Sequence, residues 1–397
     1  MPHLARARSC SRPALPLGLA GCLALACTGD AMTSATTTAG SSSSSSSSST
    51  DTAVETTSST GTTSESTSTS SESAGTSTDT SSSTTEPATT GTTTTGDLPG
   101  EPVVLVDNCV RCRQLVLDED HVYFTALGLT NADNGVLGKV AKTGGAVTTL
   151  ADGLVSPFDL ALRDGILYWV DGKRGVVEKV SIDGDAYALV AEGLILPVDV
   201  DTDADHVYWV DAGDSMMLNG SLARAPLAGG PPETLLDGLD SPQTIAVVGE
   251  SVVWVEAGAV RAMPKNGGAV EVLAKDQPLP ASLLAEGNQV VYWVNKGMGG
   301  TGSIQRVDLM GGAFEPLVSG LTVPWDLALD GERVYWTNVE AGKSILYAPR
   351  DGGDPQIALG DQGRPEGIAV DDTHIFWADF GLPPSFSGGQ LVRLLKP

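Results

Sequence analysis

Three aspartates stand at equivalent places in a recurring segment of the chain, each two residues after a proline. They are Asp159, Asp199 and Asp326. The other copies of the segment carry Gln114, Thr244, Ser282 and Gly367 at that place. Carboxylates combined with neutral oxygen donors are the ligands that a hard cation such as Ca²⁺ prefers. The pattern therefore predicts a candidate calcium site, with the alternative that each aspartate caps its own loop.

Histidine and cysteine, the other common metal ligands, are few in this chain. His121, His206 and His374 each precede the same strand-like phrase in separate copies, so the repeat holds them apart and predicts a turn role. Cys109 and Cys112 form a C-x-x-C pair, and no second pair exists to complete a zinc site. We expect a structural disulfide between them, with a redox pair or free thiols as the alternatives.

Two further sets of residues stand out. A basic residue recurs in the third strand-like segment of six copies, where we expect it to pair with nearby carboxylates; these residues are Lys139, Lys179, Arg224, Arg261, Arg306 and Arg393. Apolar residues also stand in the loops that differ most between copies, where binding surfaces usually lie. We expect an exposed binding face that includes Phe158, Trp325, Met216, Met217, Met298, Phe380 and Phe386.

One short aromatic phrase, typified by VYWVD at 207–211, recurs seven times and indicates the architecture. Its central aromatic residue recurs in steps of 39 to 45 residues, as Phe124, Trp169, Trp209, Trp254, Trp293, Trp336 and Trp377. A period of about 40–45 residues with strand-like content is typical of a β-propeller blade. Each copy reads as four strands, and an Asp-Gly or Gly-Gly pair marks the last hairpin.

The two ends of the repeated region indicate how the ring closes. The last copy stops at Pro397 without a fourth strand, and a strand-like segment at 102–106 precedes the first copy. If that segment completes the last copy, every blade has four strands and no sheet edge stays open. We therefore predict an all-β, seven-bladed β-propeller over 101–397, with a six-bladed ring as the alternative.

The first hundred residues have a different character. Residues 1–27 combine a basic start with an apolar stretch too short to span a membrane, which indicates a lipoprotein signal peptide. We expect the lipid on Cys27, with Cys22 as the alternative and an ordinary secretory signal as a further one. Residues 28–100 are dominated by Ser, Thr and Gly, a composition that predicts a disordered stalk.

The formal net charge of the chain is −26. Such an acidic chain is unsuited to nucleic acid and to an anionic membrane surface, because both would repel it. We therefore expect membrane contact only through the lipid, and a monomer in solution.

The strings P-x-D-L-A-L and V-Y-W-T-N, followed by the glycine hairpin, resemble the YWTD repeats of the LDL-receptor class B type. They are also similar to NHL and TolB-like propellers. The likeness covers about 102–397. The chain departs from YWTD receptors, which have six blades and adjoining cysteine-rich modules. What the resemblance implies is a bacterial extracytoplasmic propeller on a lipid-anchored stalk, at the outer membrane or cell surface.

Two functions are consistent with these patterns. The first is a surface-displayed, non-catalytic binding or scaffolding protein, whose partner is a protein or a surface glycan. The second is a calcium-dependent hydrolase or lactonase of the propeller type. That chemistry needs a general base near the ion, and the sequence offers no identifiable one.

Overall fold

The computed structural model describes residues 100–397, apart from 131, 341, 384, 385 and 387. The predicted signal peptide (1–27) with Cys22 and Cys27, and the predicted stalk (28–100) up to residue 99, lie outside the described residues. Within the described part of the chain no helix is long and apolar enough to cross a membrane.

The described residues form 28 β-strands. In chain order they are β1 (Val103–Val106), β2 (Cys112–Leu117), β3 (His121–Ala126), β4 (Gly135–Ala141), β5 (Thr148–Leu154), β6 (Pro157–Arg163), β7 (Ile166–Asp171), β8 (Val176–Ser181), β9 (Ala188–Ala191), β10 (Pro197–Thr202), β11 (His206–Asp211), β12 (Gly220–Pro226), β13 (Glu233–Leu239), β14 (Thr244–Val248), β15 (Ser251–Glu256), β16 (Ala259–Pro264), β17 (Glu271–Ala274), β18 (Pro280–Glu286), β19 (Val290–Asn295), β20 (Gly302–Asp308), β21 (Glu315–Leu321), β22 (Pro324–Leu329), β23 (Arg333–Asn338), β24 (Ser344–Pro349), β25 (Gln356–Leu359), β26 (Pro365–Val370), β27 (His374–Asp379) and β28 (Gln390–Leu395).

These strands pair into seven antiparallel four-stranded sheets, which are the blades of the propeller. Blades 1 to 6 take four consecutive strands each, from β2–β5 to β22–β25. Blade 7 contains β26, β27 and β28, and its outermost strand is β1 from the other end of the chain. Val103 lies opposite Arg393 across this pairing. The seven-bladed ring and its closing strand are thereby confirmed, and the six-bladed alternative is wrong.

The core lies between neighbouring blades rather than inside any one sheet. Trp209 of blade 3 is 1 % exposed and packs with Tyr168, Val170 and Val177 of blade 2. The other tryptophans of the repeated phrase are also fully buried. Because flat sheets around a common axis leave wedge-shaped gaps, a large side chain at one place per blade fills each gap.

Polar residues of the repeated phrase hold the two ends of several blades. In three blades of the described structure the tyrosine hydroxyl donates to an aspartate in the turn between the first two strands, as Tyr123 does to Asp118 at 2.6 Å. In three blades the aspartate that ends the phrase accepts two backbone N–H groups from the loop that enters the same blade. Asp171, for example, accepts from Val155 at 2.8 Å and from Ser156 at 3.0 Å.

Among the described residues, basic side chains of the third strands connect four of the seven blades to the next blade. Lys139 of blade 1 donates to the carbonyl of Ile182 in blade 2 at 2.5 Å, and Arg224 of blade 3 donates to that of Lys265 in blade 4 at 2.8 Å. The prediction of local carboxylate pairing holds for Arg224, which also contacts Glu233 at 3.0 Å. It misses the contacts between blades, which exist because the long side chains reach past the sheet edge.

The packing at the closing seam leads to a prediction for β1. Leu105 is 7 % exposed and belongs to the cluster that joins blades 7 and 1, whereas Val104 on the same strand is 45 % exposed. We expect Leu105→Ala to lower the free energy of unfolding by about 2–3 kcal/mol through the cavity it leaves. Val104→Ala should change it by no more than about 0.5 kcal/mol. Chemical denaturation measures both, and equal effects would show that β1 is not packed into the ring.

Candidate functional site

The first strands of the seven blades surround the axis of the ring. They are β2, β6, β10, β14, β18, β22 and β26, and each lies beside the first strand of the next blade. The loops that enter these strands, and the loops between the second and third strands, meet on one side of the ring, here called the loop face. The short hairpins between the third and fourth strands lie on the other side, the hairpin face.

The three aspartates of the predicted calcium site do lie on this inner ring, but they bond to neighbouring blades. Asp199 accepts the backbone N–H of Ile245 in the next blade at 3.0 Å. Asp326 accepts that of Ile368 at 3.1 Å and the hydroxyl of Ser282 at 2.5 Å. Asp159 accepts the backbone N–H of Val200 at a longer distance of 3.4 Å. These carboxylates therefore link the inner strands of neighbouring blades by hydrogen bonds.

The predicted ligand set is not assembled as a metal site. Among the described residues no group of three or more histidine, cysteine, aspartate or glutamate side chains is arranged to hold a metal ion. Asp159 and Asp199 interact with each other, but Asp326 bonds to other blades. The alternative, in which each aspartate has a role in hydrogen bonding, describes the geometry better. The bonds, however, join neighbouring blades and do not cap the aspartate's own loop.

Burial controls the charge of these ring carboxylates. It raises the pKa of Asp326 to about 6, with the hydrogen bonds from Ser282 and Ile368 acting in the opposite direction. Burial, and then the nearby carboxylate of Asp199, raise the pKa of Asp159 well above its usual range. Asp201, also on β10, has a pKa raised by burial to about 6. The ring thus holds several carboxyl groups that gain protons at mildly acidic pH.

A cluster of cations and aromatic rings lies just outside this ring, on the loop face. It is called here the loop-face cluster, and its members are Arg111, Arg113, Phe158, Lys296, Trp325, Arg364, Glu366, Phe380 and Phe386. They come from loops or strand starts of blades 1, 2, 5, 6 and 7. Five blades therefore contribute to one patch beside the axis.

Each cation of the cluster makes a cation–π contact with one of its aromatic rings. The ammonium of Lys296 lies 3.3 Å from the centre of the Trp325 ring, and the guanidinium of Arg364 lies 5.7 Å from the same ring. Arg113 stacks over Phe158 at 4.6 Å. Such cation–π contacts are strongest where water is excluded, and Lys296 is only 9 % exposed.

Glu366 is the acid at the centre of the cluster. It is 1 % exposed, and one of its oxygens lies 3.0 Å from Arg364. Burial raises the pKa of Glu366, while Arg113, Arg364, Lys296 and Arg111 act against that rise through their positive charge. All four cations therefore lie close enough to Glu366 to feel its charge.

A disulfide shapes the loop that supplies two of the cations. The structure joins Cys109 to Cys112, and the short loop between them holds Arg111 in the left-handed backbone region at a φ of 58°. The Cys109 N–H donates to the carbonyl of Gly389 in blade 7 at 2.8 Å. Arg111 then lies 5.4 Å from the Phe380 ring of that blade. The disulfide loop thus places Arg111 of blade 1 against blade 7.

Backbone strain also concentrates on the loop face. Of thirteen non-glycine residues with positive φ among the described residues, eleven lie in loops or strand starts on this face; only Asp164 and Ala186 lie on the other side. Branched or bulky residues such as Val323 and Leu279 are among the eleven. Strain of this kind is typical of binding sites, where the surrounding structure holds it in place.

The predicted apolar binding face is only partly exposed. Met216, Met217 and Met298 are 90 %, 61 % and 66 % exposed. Phe158, Trp325 and Phe386 are partly buried, because they carry cations of the cluster. Phe380 was expected to be exposed and is not: it is 5 % exposed, enclosed by Phe386, Arg111 and Arg364.

The sequence interpretation missed the polar half of the cluster. Arg111, Arg113, Lys296, Arg364 and Glu366 were not predicted as site residues. A signal did exist, because Arg113, Phe158, Trp325 and Glu366 share one place, immediately before the inner-ring position. They are charged or aromatic, whereas the other copies carry valine, glutamine and alanine there. A repeat position that changes its chemistry from copy to copy indicates a function that is not structural.

Comparison with known proteins supports the fold and goes no further. No protein-family model matches the chain, and no curated protein is similar to it in sequence. Among solved structures, streptogramin B lyase is similar with a TM-score of 0.59 at 12 % identity, over 75 % of this chain and 98 % of the lyase chain. A nidogen/laminin complex is matched with a TM-score of 0.44 at 18 % identity, over 54 % of this chain and 84 % of the other. This chain is therefore a β-propeller, and its family is not established by these similarities.

The raised pKa of Asp326 leads to a prediction about stability and pH. Because the folded state holds this proton up to about pH 6, the contribution of Asp326 is fully present below about pH 4 and is lost as the pH rises through 6. Asp326→Asn keeps an acceptor for the Ile368 N–H and can donate its amide N–H to the Ser282 hydroxyl oxygen, which reverses that hydrogen bond, but it cannot ionise. Between pH 5 and 8 the variant should therefore gain about 1–2 kcal/mol relative to the wild type.

Thermal and urea unfolding across this pH range measure the difference. Asp330→Asn serves as the control, since the pKa of Asp330 is lowered to about 2, so its contribution is constant above about pH 5. If Asp326→Asn and the wild type show parallel pH profiles, Asp326 does not carry the raised pKa.

Proposed function

We propose that this protein is a non-catalytic binding protein that recognises its partner, a protein or a surface glycan, through the loop face. The observation that carries the proposal is the loop-face cluster, in which side chains from five blades form one patch of cations and aromatic rings. The packing of the ring does not require these residues, because blades 3 and 4 take their places in it without contributing to the cluster. Aromatic residues and arginine are the side chains that dominate the binding energy of protein surfaces.

The same proposal includes a place of action. We propose that residues 1–27 direct export and end in a lipid-bearing Cys27, and that residues 28–100 act as a stalk that holds the propeller away from a bacterial membrane. The composition of these segments supports this reading.

The binding proposal is tested by comparing the two faces of the ring. Phe158→Ala combined with Trp325→Ala should weaken retention of the purified protein on intact cells of the producing bacterium by about tenfold or more, since both rings support cations of the cluster. The matched control is Met310→Ala combined with Ile357→Ala, which removes apolar side chains that are 80 % and 68 % exposed away from the loop face. Equal losses from both pairs would show that the loop face is not the binding face.

The anchoring proposal is tested by fractionation of the producing cells. Cys27→Ser should release the protein from the membrane fraction, because it removes the thiol proposed to carry the lipid, while Cys22→Ser should leave it membrane-bound. Immunoblots of membrane and soluble fractions provide the measurement. The reverse result would move the lipid to Cys22, and membrane retention in both variants would contradict lipid anchoring.

A further inference from the structure

We infer that the loop-face cluster is an oxyanion-binding site, which takes a carboxylate, sulfate or phosphate group of the molecule recognised by this face. The inference rests on the proposed function and adds the chemistry of the recognised group.

The charge balance of the cluster favours an anion. Arg113 and Arg364 bring two positive charges beside the single negative charge of Glu366, and Lys296 and Arg111 also act on Glu366 through their positive charge. The chain as a whole carries −26. A compact positive patch on so acidic a protein attracts anions locally while the rest of the surface repels them, which restricts where an anionic ligand can bind. The same charge works against a cation at this end of the ring.

Two acids near the cluster direct their oxygens at structural hydrogen bonds. Asp326 follows Trp325 in the chain, but the main influences on its pKa are burial and its hydrogen bonds from Ser282 and Ile368. Those bonds commit both of its oxygens to neighbouring blades. Asp379, at the end of β27, accepts the backbone N–H groups of Gly363 and Arg364. The acids close to the cluster thus have structural partners.

The geometry of the arginines suits an oxyanion. The guanidinium carbon of Arg113 lies over the ring of Phe158, 4.6 Å from its centre, and that of Arg364 lies over the ring of Phe380, 5.0 Å from its centre. Stacking uses the flat face of a guanidinium and leaves its edge N–H groups for hydrogen bonds in the plane. Those edges match two oxygens of a carboxylate, sulfate or phosphate group, and such bidentate pairs are among the strongest hydrogen bonds in proteins.

Glu366 keeps the cations of the site in place. It is 1 % exposed, and its Oε1 atom lies 3.0 Å from Arg364, while Oε2 is buried with no hydrogen-bond partner among the described residues. Since an oxyanion offers no donor to Oε2, Glu366 acts on the neighbouring cations and not on the ligand. Here the carboxylate holds cations together that would otherwise repel each other, which keeps the site formed before the anion arrives.

The site is preorganised and has space beside it. The disulfide from Cys109 to Cys112 fixes the loop that presents Arg111, so little ordering is needed on binding. On the other side, Lys296 also lines a recess of about 190 Å³ between blades 4 and 5, together with Ser241, Gln243 and Gln277. The hydroxyl and amide groups there can accommodate the neutral part of a ligand whose acidic group sits in the cluster.

Isothermal titration calorimetry at constant ionic strength tests the inference. Sulfate and phosphate, in a chloride buffer, represent a free anion. Trigalacturonate represents the acidic groups of a glycan, and maltotriose is its neutral counterpart. We expect sulfate or phosphate to bind the wild type, and Arg113→Gln to weaken that binding by about tenfold or more. Trigalacturonate binding more tightly than sulfate identifies a glycan as the source of the anion, and equal or weaker binding identifies a free anion.

Arg306→Gln is the matched control, because Arg306 pairs with the exposed Glu315 on an outer strand. It should leave the affinity unchanged. If Arg113→Gln lowers the melting temperature, Lys296→Gln replaces it in the comparison. The inference is overturned if neither the inorganic anions nor trigalacturonate bind, or if Arg306→Gln causes the same loss. In that case, face-dependent retention on cells would still support the proposed function, whereas loss of that dependence would remove both.

Discussion

The pairing of the first strand with the last is the constraint on which the rest of the structure depends. Seven four-stranded sheets surround one axis, and the seventh is completed only when β1 joins β28 from the far end of the chain. The pairing closes the ring and protects an edge that would otherwise expose its hydrogen-bonding groups. It also fixes where the chain goes next. The residues that leave β1 form the disulfide loop, so closure delivers Arg111 and Arg113 to blade 7, beside Arg364 and Glu366.

The site is therefore a product of the seam between the chain ends. Around the ring, neighbouring blades meet through buried aromatic residues, backbone hydrogen bonds to ring acids and long cations that reach the next blade. The seam keeps such contacts, since Phe124 packs against blade 7 and Arg393 donates to the carbonyl of Lys142. What the seam adds is charged and aromatic residues on the loop face. A ring of near-identical parts thus acquires one distinct place, which is where recognition can be specific.

Much of the fold could be predicted from the sequence because repetition encodes it directly. The spacing of the aromatic phrase indicates seven blades, and the missing last strand indicates how they close. The ring position of Asp159, Asp199 and Asp326 also follows from the repeat. Their partners do not, because the repeat does not reveal that the N–H of Ile245 or Ile368 in the next blade points at a carboxylate. Oxygen donors on a common ring then resembled a metal site although they are committed to backbone hydrogen bonds.

The loop-face cluster was harder to predict for a related reason. Phe158 and Trp325 were identified by their apolar character, but the cations that they carry stand in loops whose course depends on ring closure. Phe380 illustrates the consequence: it is apolar and sits in a variable loop, yet Arg111 from the other end of the chain covers it. Contacts between residues so distant in sequence follow from topology, not from local pattern.

An oxyanion site in the loop-face cluster is tested most directly with a crystal of the protein soaked in selenate. Selenate has the shape and charge of sulfate, and its selenium can be located by anomalous diffraction. We expect a selenium peak within hydrogen-bonding reach of the Arg113 and Arg364 side chains. Selenium bound only elsewhere on the protein, with none in the cluster, would contradict it.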